Sequence, residues 1–152
     1  MSEWAWDRSG CSVAGTLAVI GEKWSLLVLR EAFLGTRRFA DFQRILGAPK
    51  AVLTDRLGTL VASGVLARVP YQAEGERQRH EYRLTEKGRD LYPTLVALMQ
   101  WGDRYLAEPG AAPLALEHRD CGAAVRLELT CEAGHSVTGP REVRPVRRAA
   151  AV

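Results

Sequence analysis

Phe39-Ala-Asp-Phe-Gln-Arg-Ile-Leu-Gly-Ala-Pro-Lys-Ala-Val-Leu-Thr-Asp-Arg-Leu-Gly-Thr-Leu-Val-Ala-Ser-Gly64 holds two helical patterns on either side of a Gly-Ala-Pro turn. The first, Phe39 to Leu46, offers Phe39, Phe42, Ile45 and Leu46 to a core and stops at Gly47. The second, Lys50 to Ser63, turns Val52, Leu53, Leu57, Leu60 and Val61 inward and leaves Lys50, Thr54, Arg56 and Thr59 for solvent, with Gly64 as its C-terminal stop. Two helices joined by so short a turn, with a polar face on the second, form a helix-turn-helix.

Working outward, the period changes from that of a helix to that of a strand. Val65 to Tyr71 and Arg79 to Leu84 are predicted strands, and the charged segment between them, Gln72 to Gln78, is the tip of a basic hairpin. Upstream, apolar residues at spacings of three and four from Ser12 to about Leu34, broken at Gly21, indicate two helices meeting at a tight joint. Downstream, Thr85 is a helix N-cap, and Leu91, Leu95, Leu98, Trp101 and Tyr105 form one apolar stripe. That pattern predicts a single helix running to about Leu106. The fold class expected is mainly α with a β-hairpin wing, a winged helix-turn-helix.

Glu108-Pro-Gly-Ala-Ala-Pro113 is a shift in composition and reads as a linker. Beyond it Leu114–His118, Ala124–Cys131 and Ser136–Thr138 are predicted short strands, and the Arg-rich tail from Pro140 is expected to be loose. The expected organisation is a winged DNA-binding and dimerisation domain over 1–107, the linker 108–113, a small β-structured extension over 114–140 and a tail over 141–152.

The chain has 152 residues, 47% of them hydrophobic and 26% charged, which suits one folded domain with an appendage and excludes wholesale disorder or a fibrous repeat. No apolar run approaches a membrane span, and the N-terminus does not read as a secretory signal. A cytosolic protein without a membrane partner is expected. No Ser/His/Asp elbow, glycine-rich phosphate loop or His-Glu-x-x-His motif occurs, so no enzyme is expected. Net charge is +3, and its location matters more than its size. From Arg30 to Arg89 there are 12 Lys/Arg against 7 acids, so this third carries +5 and the remainder −2. Eighteen of the 21 basic residues are Arg, whose planar fork suits phosphate and guanine.

A helix of this length fits a major groove, and a basic hairpin beside it can lie along phosphates or in the minor groove. The candidate DNA-binding residues are therefore Lys50, Thr54 and Arg56 on the recognition helix, Arg37 and Arg38 before the helix that supports it, and Arg77, Gln78 and Arg79 in the wing. The competing reading of each is a solvated surface, with Arg56 paired to a nearby acid. Glu74 and Glu76 weaken the field of the wing tip. His80 could touch phosphate or simply occupy a strand edge. The stripe Leu91, Leu95, Leu98, Trp101 and Tyr105 exceeds what a small winged domain needs, so it is assigned with the first helix to a dimer interface. Trp24 is expected in the core or an interface, and Trp4 and Trp6 over an interface or a small effector pocket.

At several of these positions the chain resembles the HxlR-type transcriptional regulators, relatives of the MarR group. Ile20-Gly-Glu-Lys-Trp24, Gly35-Thr-Arg-Arg-Phe39, Leu53-Thr-Asp-Arg-Leu57, Gly64-Val-Leu66, Glu81-Tyr-Arg-Leu-Thr85, Lys87-Gly88 and Trp101-Gly102 carry the likeness, which covers about Cys11 to Tyr105. The resemblance implies a homodimeric winged-helix protein that binds double-stranded DNA. Two-fold symmetry then implies an inverted-repeat operator with half-sites one DNA turn apart. Repression by promoter blockage is the expected mode, with response to a small ligand, an oxidant or an electrophile left open.

Cys11 begins the first helix near Arg8, and a helix start and a neighbouring cation both favour a reactive thiolate. Some regulators resembling this one sense oxidants through an N-terminal cysteine. The plainer reading of Cys11, a small apolar residue in the dimer interface, is preferred. His118, Cys121, Cys131 and His135 have the spacing His-x2-Cys-x9-Cys-x3-His, from which four tetrahedral zinc ligands could come, although Gly134 stands where a paired Cys-x-x-Cys would place its second thiol. No cofactor is expected on the main reading. The alternative function is a thiol- or zinc-binding stress protein without specific DNA binding.

Overall fold

Ile20 ends the first helix, and Gly21 closes it at a point where a Cβ would lie 2.4 Å from the Leu17 carbonyl oxygen. A side chain has no room there, and α1 (Ser12–Ile20) meets α2 (Lys23–Phe33) at 78°. The computed structural model describes residues 10–72, 74–75 and 77–146. The expectations for Trp4, Trp6, Arg8 and Glu76 lie outside these residues, as does the tail from 147 on. Among the described residues no single helix is long and apolar enough to cross a membrane.

The chain forms two compact units, Met1–Leu95 and Val96–Val152. In the first, α3 (Phe39–Leu46) and α4 (Lys50–Ala62) lie where the periodicity places them, joined through Gly47 at φ +62°. The core is built on Val28 and Leu29 of α2, Phe42 of α3 and Leu53, Leu57 and Leu60 of α4, all wholly buried, with Val65 and Leu66 beside them. Each such side chain contributes about 1.5–3 kcal/mol of hydrophobic burial. Ile45, expected inside, is 44% exposed, because the short α3 buries only the face that carries Phe42.

β1 (Leu66–Tyr71) and β2 (Arg79–Leu84) pair antiparallel, Leu66 opposite Leu84 and Tyr71 opposite Arg79. The Tyr82 amide also donates to the Arg37 carbonyl at 2.7 Å, which ties the segment before α3 to the wing. Edge-on packing of Phe42 against Tyr82, with centroids 6.4 Å apart, reinforces the tie.

The single helix expected after Thr85 is corrected to two, α5 (Glu86–Arg89) and α6 (Tyr92–Tyr105). Pro93 has no amide hydrogen, and in a continuous helix its ring would meet the Arg89 carbonyl. As the second residue of a new helix it loses nothing. Thr85 is the N-cap foreseen, accepting from the Gly88 amide at 3.0 Å. Its hydroxyl also lies 2.6 Å from the Gly64 carbonyl oxygen, and Lys87 Nζ donates to the Ser63 carbonyl at 2.7 Å. The end of α4 and the start of the wing are thus pinned by α5.

The second unit begins within α6, because Gln100 bonds both the Val125 carbonyl (2.9 Å) and the Leu127 amide (3.0 Å) and so holds the extension. The expected linker 108–113 lies inside this unit. The strands predicted here are shorter than expected. Glu117 and Ala124 form one bridge, and only β3 (Leu129–Thr130) pairs with β4 (Ser136–Val137). Leu127, Leu129 and Val125 remain exposed, and without a buried face longer ladders have nothing to pack against. The expected loose tail instead starts with a 3-10 turn, Pro140–Glu142. Thr138 donates its amide (2.8 Å) and hydroxyl (2.7 Å) to Glu142, holding that carboxyl below its ordinary range.

A Cβ on Gly88 would fall 2.2 Å from the Val65 carbonyl oxygen, a backbone atom that cannot swing away. Gly88→Ala is expected to cost about 1–3 kcal/mol, seen as a lowered melting temperature of the helical circular-dichroism signal; an unchanged melt would refute the clamp at this position.

Candidate nucleic-acid interface

Burying Leu53, Leu57 and Leu60 on one side of α4 leaves Lys50, Thr54 and Gly58 on the other, all exposed. Thr54 donates its hydroxyl hydrogen to the Lys50 carbonyl at 2.8 Å, so toward a ligand it is left as an acceptor. Gly58 has open space where a Cβ would be. Arg56 differs from expectation, since it sits at the flank of the helix with its side chain only 25% exposed and paired to Asp55.

The exposed face of α4 and the wing border one groove of about 520 Å³, lined among others by Phe39, Lys50, Thr54, Gly58, Arg68 and Tyr82. Arg68, opposite Tyr82 in the strand register, was not singled out from sequence. Spacing gave no signal for it, since strand alternation sets it on the same side as the buried Leu66, two residues away. The backbone bond from Tyr82 brings Arg37 and Arg38 to the wing, and the Arg38 guanidinium lies over the Tyr71 ring at 4.8 Å. Arg77, Gln78, Arg79 and His80 are exposed on the wing.

Ion pairing sorts the basic residues of this third of the chain. Arg30 is held by Glu31, Arg44 by Asp41, Arg56 by Asp55 and Arg83 by Glu81. Lys87 and Arg89 donate to the backbone carbonyls of Ser63 and Leu84. Arg37, Arg38, Lys50, Arg68, Arg77 and Arg79 have no acidic partner among the described residues. These six lie on α4, the segment before α3 and the wing, the three places from which a winged helix reaches DNA.

Of the other candidates, Leu91 and Leu95 are half-buried and pack against their own core, whereas Leu98, Trp101 and Tyr105 are 50%, 57% and 58% exposed. The apolar stripe therefore divides along α6. Cys11 is the N-cap of α1, half-exposed, and its side chain makes no capping bond. Trp24 is half-buried against the core. His118 and Cys121 face each other, as do Cys131 and His135, but no three possible metal ligands lie together among the described residues.

Residues 19–109 match the family model described as HxlR-like helix-turn-helix. The chain belongs to this family. An uncharacterized HTH-type transcriptional regulator of Mycobacterium tuberculosis is 49% identical over 137 residues, covering 90% of this chain and 85% of that protein. The crystal structure of PA1607, a transcription-factor candidate, superposes with a TM-score of 0.82 at 42% identity, covering 93% of this chain and 97% of the other. The redox regulator HypR in its oxidized form has a TM-score of 0.58 at 34% identity, covering 64% of this chain and all of that one. The first two likenesses extend past the family model into the second unit. The HxlR-like chain is thus a helix-turn-helix transcriptional regulator with a winged-helix fold, and its family is one of DNA-binding proteins.

The sorting of cations predicts that Arg68→Ala weakens binding to DNA of any sequence and lowers the slope of log K against log salt by about 0.9. Arg44→Ala, whose charge Asp41 already meets, leaves the slope unchanged. Fluorescence anisotropy titrations at several salt concentrations measure both, and equal slopes for the two variants would refute the assignment.

Proposed function

We propose that this regulator acts as a homodimer that binds an inverted-repeat operator and represses by occupying its promoter. The observation that carries the reading is the set of six cations on α4, the segment before α3 and the wing that have no acidic partner among the described residues, two of which, Lys50 and Arg68, line the groove. In this reading Lys50 and Thr54 meet base edges or phosphates, Arg37 and Arg38 meet phosphates, and Arg68, Arg77, Gln78 and Arg79 follow the backbone beside the wing. Arg56 reaches DNA by exchanging Asp55 for a phosphate.

Dimerisation is supported by α1. Its sequence Ser-Val-Ala-Gly-Thr-Leu-Ala-Val-Ile is apolar on nearly every side, as in a buried helix, yet Val13 is 67% and Leu17 56% exposed and only Ile20 is buried. A second copy of the chain would cover this surface, and Leu98, Trp101 and Tyr105 are assigned to the same role. A two-fold pair sets its recognition helices about 34 Å apart.

A second reading adds redox control, and the half-exposed Cys11 thiol at the head of α1 favours it. The likeness to HypR, named a redox regulator, points the same way. An oxidant such as diamide would take two electrons and two protons from the Cys11 thiols of two protomers, leaving a disulfide between them and shifting the pair away from the DNA-binding arrangement.

The test is a gel-shift titration with a fragment carrying the protein's own promoter region at fixed moderate salt. Lys50→Ala and Arg56→Ala are each expected to weaken specific binding by about 1–3 kcal/mol, roughly 5- to 150-fold, if they contact bases. Affinity equal to that for random DNA, and indifferent to both substitutions, would sink the operator reading and favour a thiol or metal-binding role. Sedimentation should show a dimer that Leu17→Glu splits. Diamide should release DNA from the wild type and not from Cys11→Ser; equal behaviour of the two removes the redox reading alone.

A further inference from the structure

We propose that the second unit is a zinc-binding hairpin pair, with His118, Cys121, Cys131 and His135 as the four ligands of one ion. Each half of the site already has the spacing of a metal edge. Cys121 Sγ lies 3.4 Å from His118 Nδ1, and Cys131 Sγ lies 3.5 Å from His135 Nδ1. A tetrahedral zinc with bonds of about 2.3 Å to sulfur and about 2.0–2.1 Å to nitrogen holds such atoms about 3.5 Å apart.

The two pairs sit at equivalent places. The first spans the turn of the hairpin closed by the Glu117–Ala124 bridge, and the second spans the turn between β3 and β4. In the first turn the Gly122 amide donates to the His118 carbonyl at 2.8 Å, and in the second the Gly134 amide donates to the Cys131 carbonyl at 2.8 Å. Both glycines have positive φ, +68° and +83°, and each adjoins a ligand, so the backbone reverses tightly beside the side chains that must converge. No three ligands surround a common point among the described residues. The pairs are half-sites, and residues 125–128 between the hairpins lie in no strand, so the ion itself would draw the turns together.

What the extension lacks also argues for a staple. From 108 to 146 no residue is buried, and Leu116, Val137 and Gly139 are merely half-buried. A segment of about 40 residues without a core folds stably only with a metal, a disulfide or a partner. Two thiolates and two imidazoles are a donor set that suits zinc, and binding releases the two thiol protons to solvent.

The experiment uses the full chain, purified without chelator under reductant, with metal content measured by mass spectrometry and zinc then exchanged for cobalt. One zinc per chain is expected, with the cobalt form showing tetrahedral d–d bands and a thiolate-to-cobalt charge-transfer band. Cys131→Ser and His118→Ala should each lower retained zinc at least tenfold while the helical melt of the first unit stays unchanged. Less than a tenth of an equivalent after zinc reconstitution would overturn the site. So would zinc that survives both substitutions, one ion per two chains, or a Cys121–Cys131 disulfide formed in metal-free protein with no zinc uptake on reduction.

Discussion

Three leucines on one side of a thirteen-residue helix set the terms for the first unit. Leu53, Leu57 and Leu60 are wholly buried, and an α-helix that commits one stripe to a core must turn the opposite stripe to water. Lys50, Thr54 and Gly58 face outward for this reason. The helix cannot rotate to bury them without exposing the leucines, at about 1.5–3 kcal/mol for each side chain. The position of the wing follows, since only three residues separate α4 from β1 and that link is pinned by Thr85 and Lys87.

The candidate interface is then completed by backbone bonding more than by side chains. Tyr82 donating to the Arg37 carbonyl joins elements separated by more than forty residues and sets two arginines beside the hairpin. Acidic residues refine the result. Asp41, Asp55, Glu31 and Glu81 each engage a neighbouring arginine, so the positive field rests on the cations that no carboxylate meets among the described residues. The exposed pairs of Asp41 and Asp55 add little stability; their larger effect is on where charge remains available.

Much of this was legible in the sequence. The helix-turn-helix, the Gly21 joint, the Thr85 cap and both wing strands follow from local periodicity and capping, which act within a few residues. Non-local effects were harder to read. Pro93 could be accommodated either inside a first turn or at a fresh start, and the steric conflict with the Arg89 carbonyl decides between them. For Arg56 the sequence left open both a DNA contact and pairing to a nearby acid, and side-chain direction decides for Asp55. Arg68 was hidden because a lone charge in a strand gives no sign of which groove it borders. The extension was overread as three strands, since alternating apolar residues describe a surface that could pack without saying whether anything packs on it.

Gly58 deserves a last comparison with its neighbours. It lies mid-helix on the outward face, with empty space around it, where alanine would improve helix propensity by about 0.8–1 kcal/mol. The fold would gain from that methyl group, while the groove between α4 and the wing, which Gly58 lines, would become shallower. Stability and shape therefore pull in opposite directions at this residue. A search for hardier variants judged by melting temperature alone would favour filling Gly58, and would do so on the face of α4 that we propose for DNA contact.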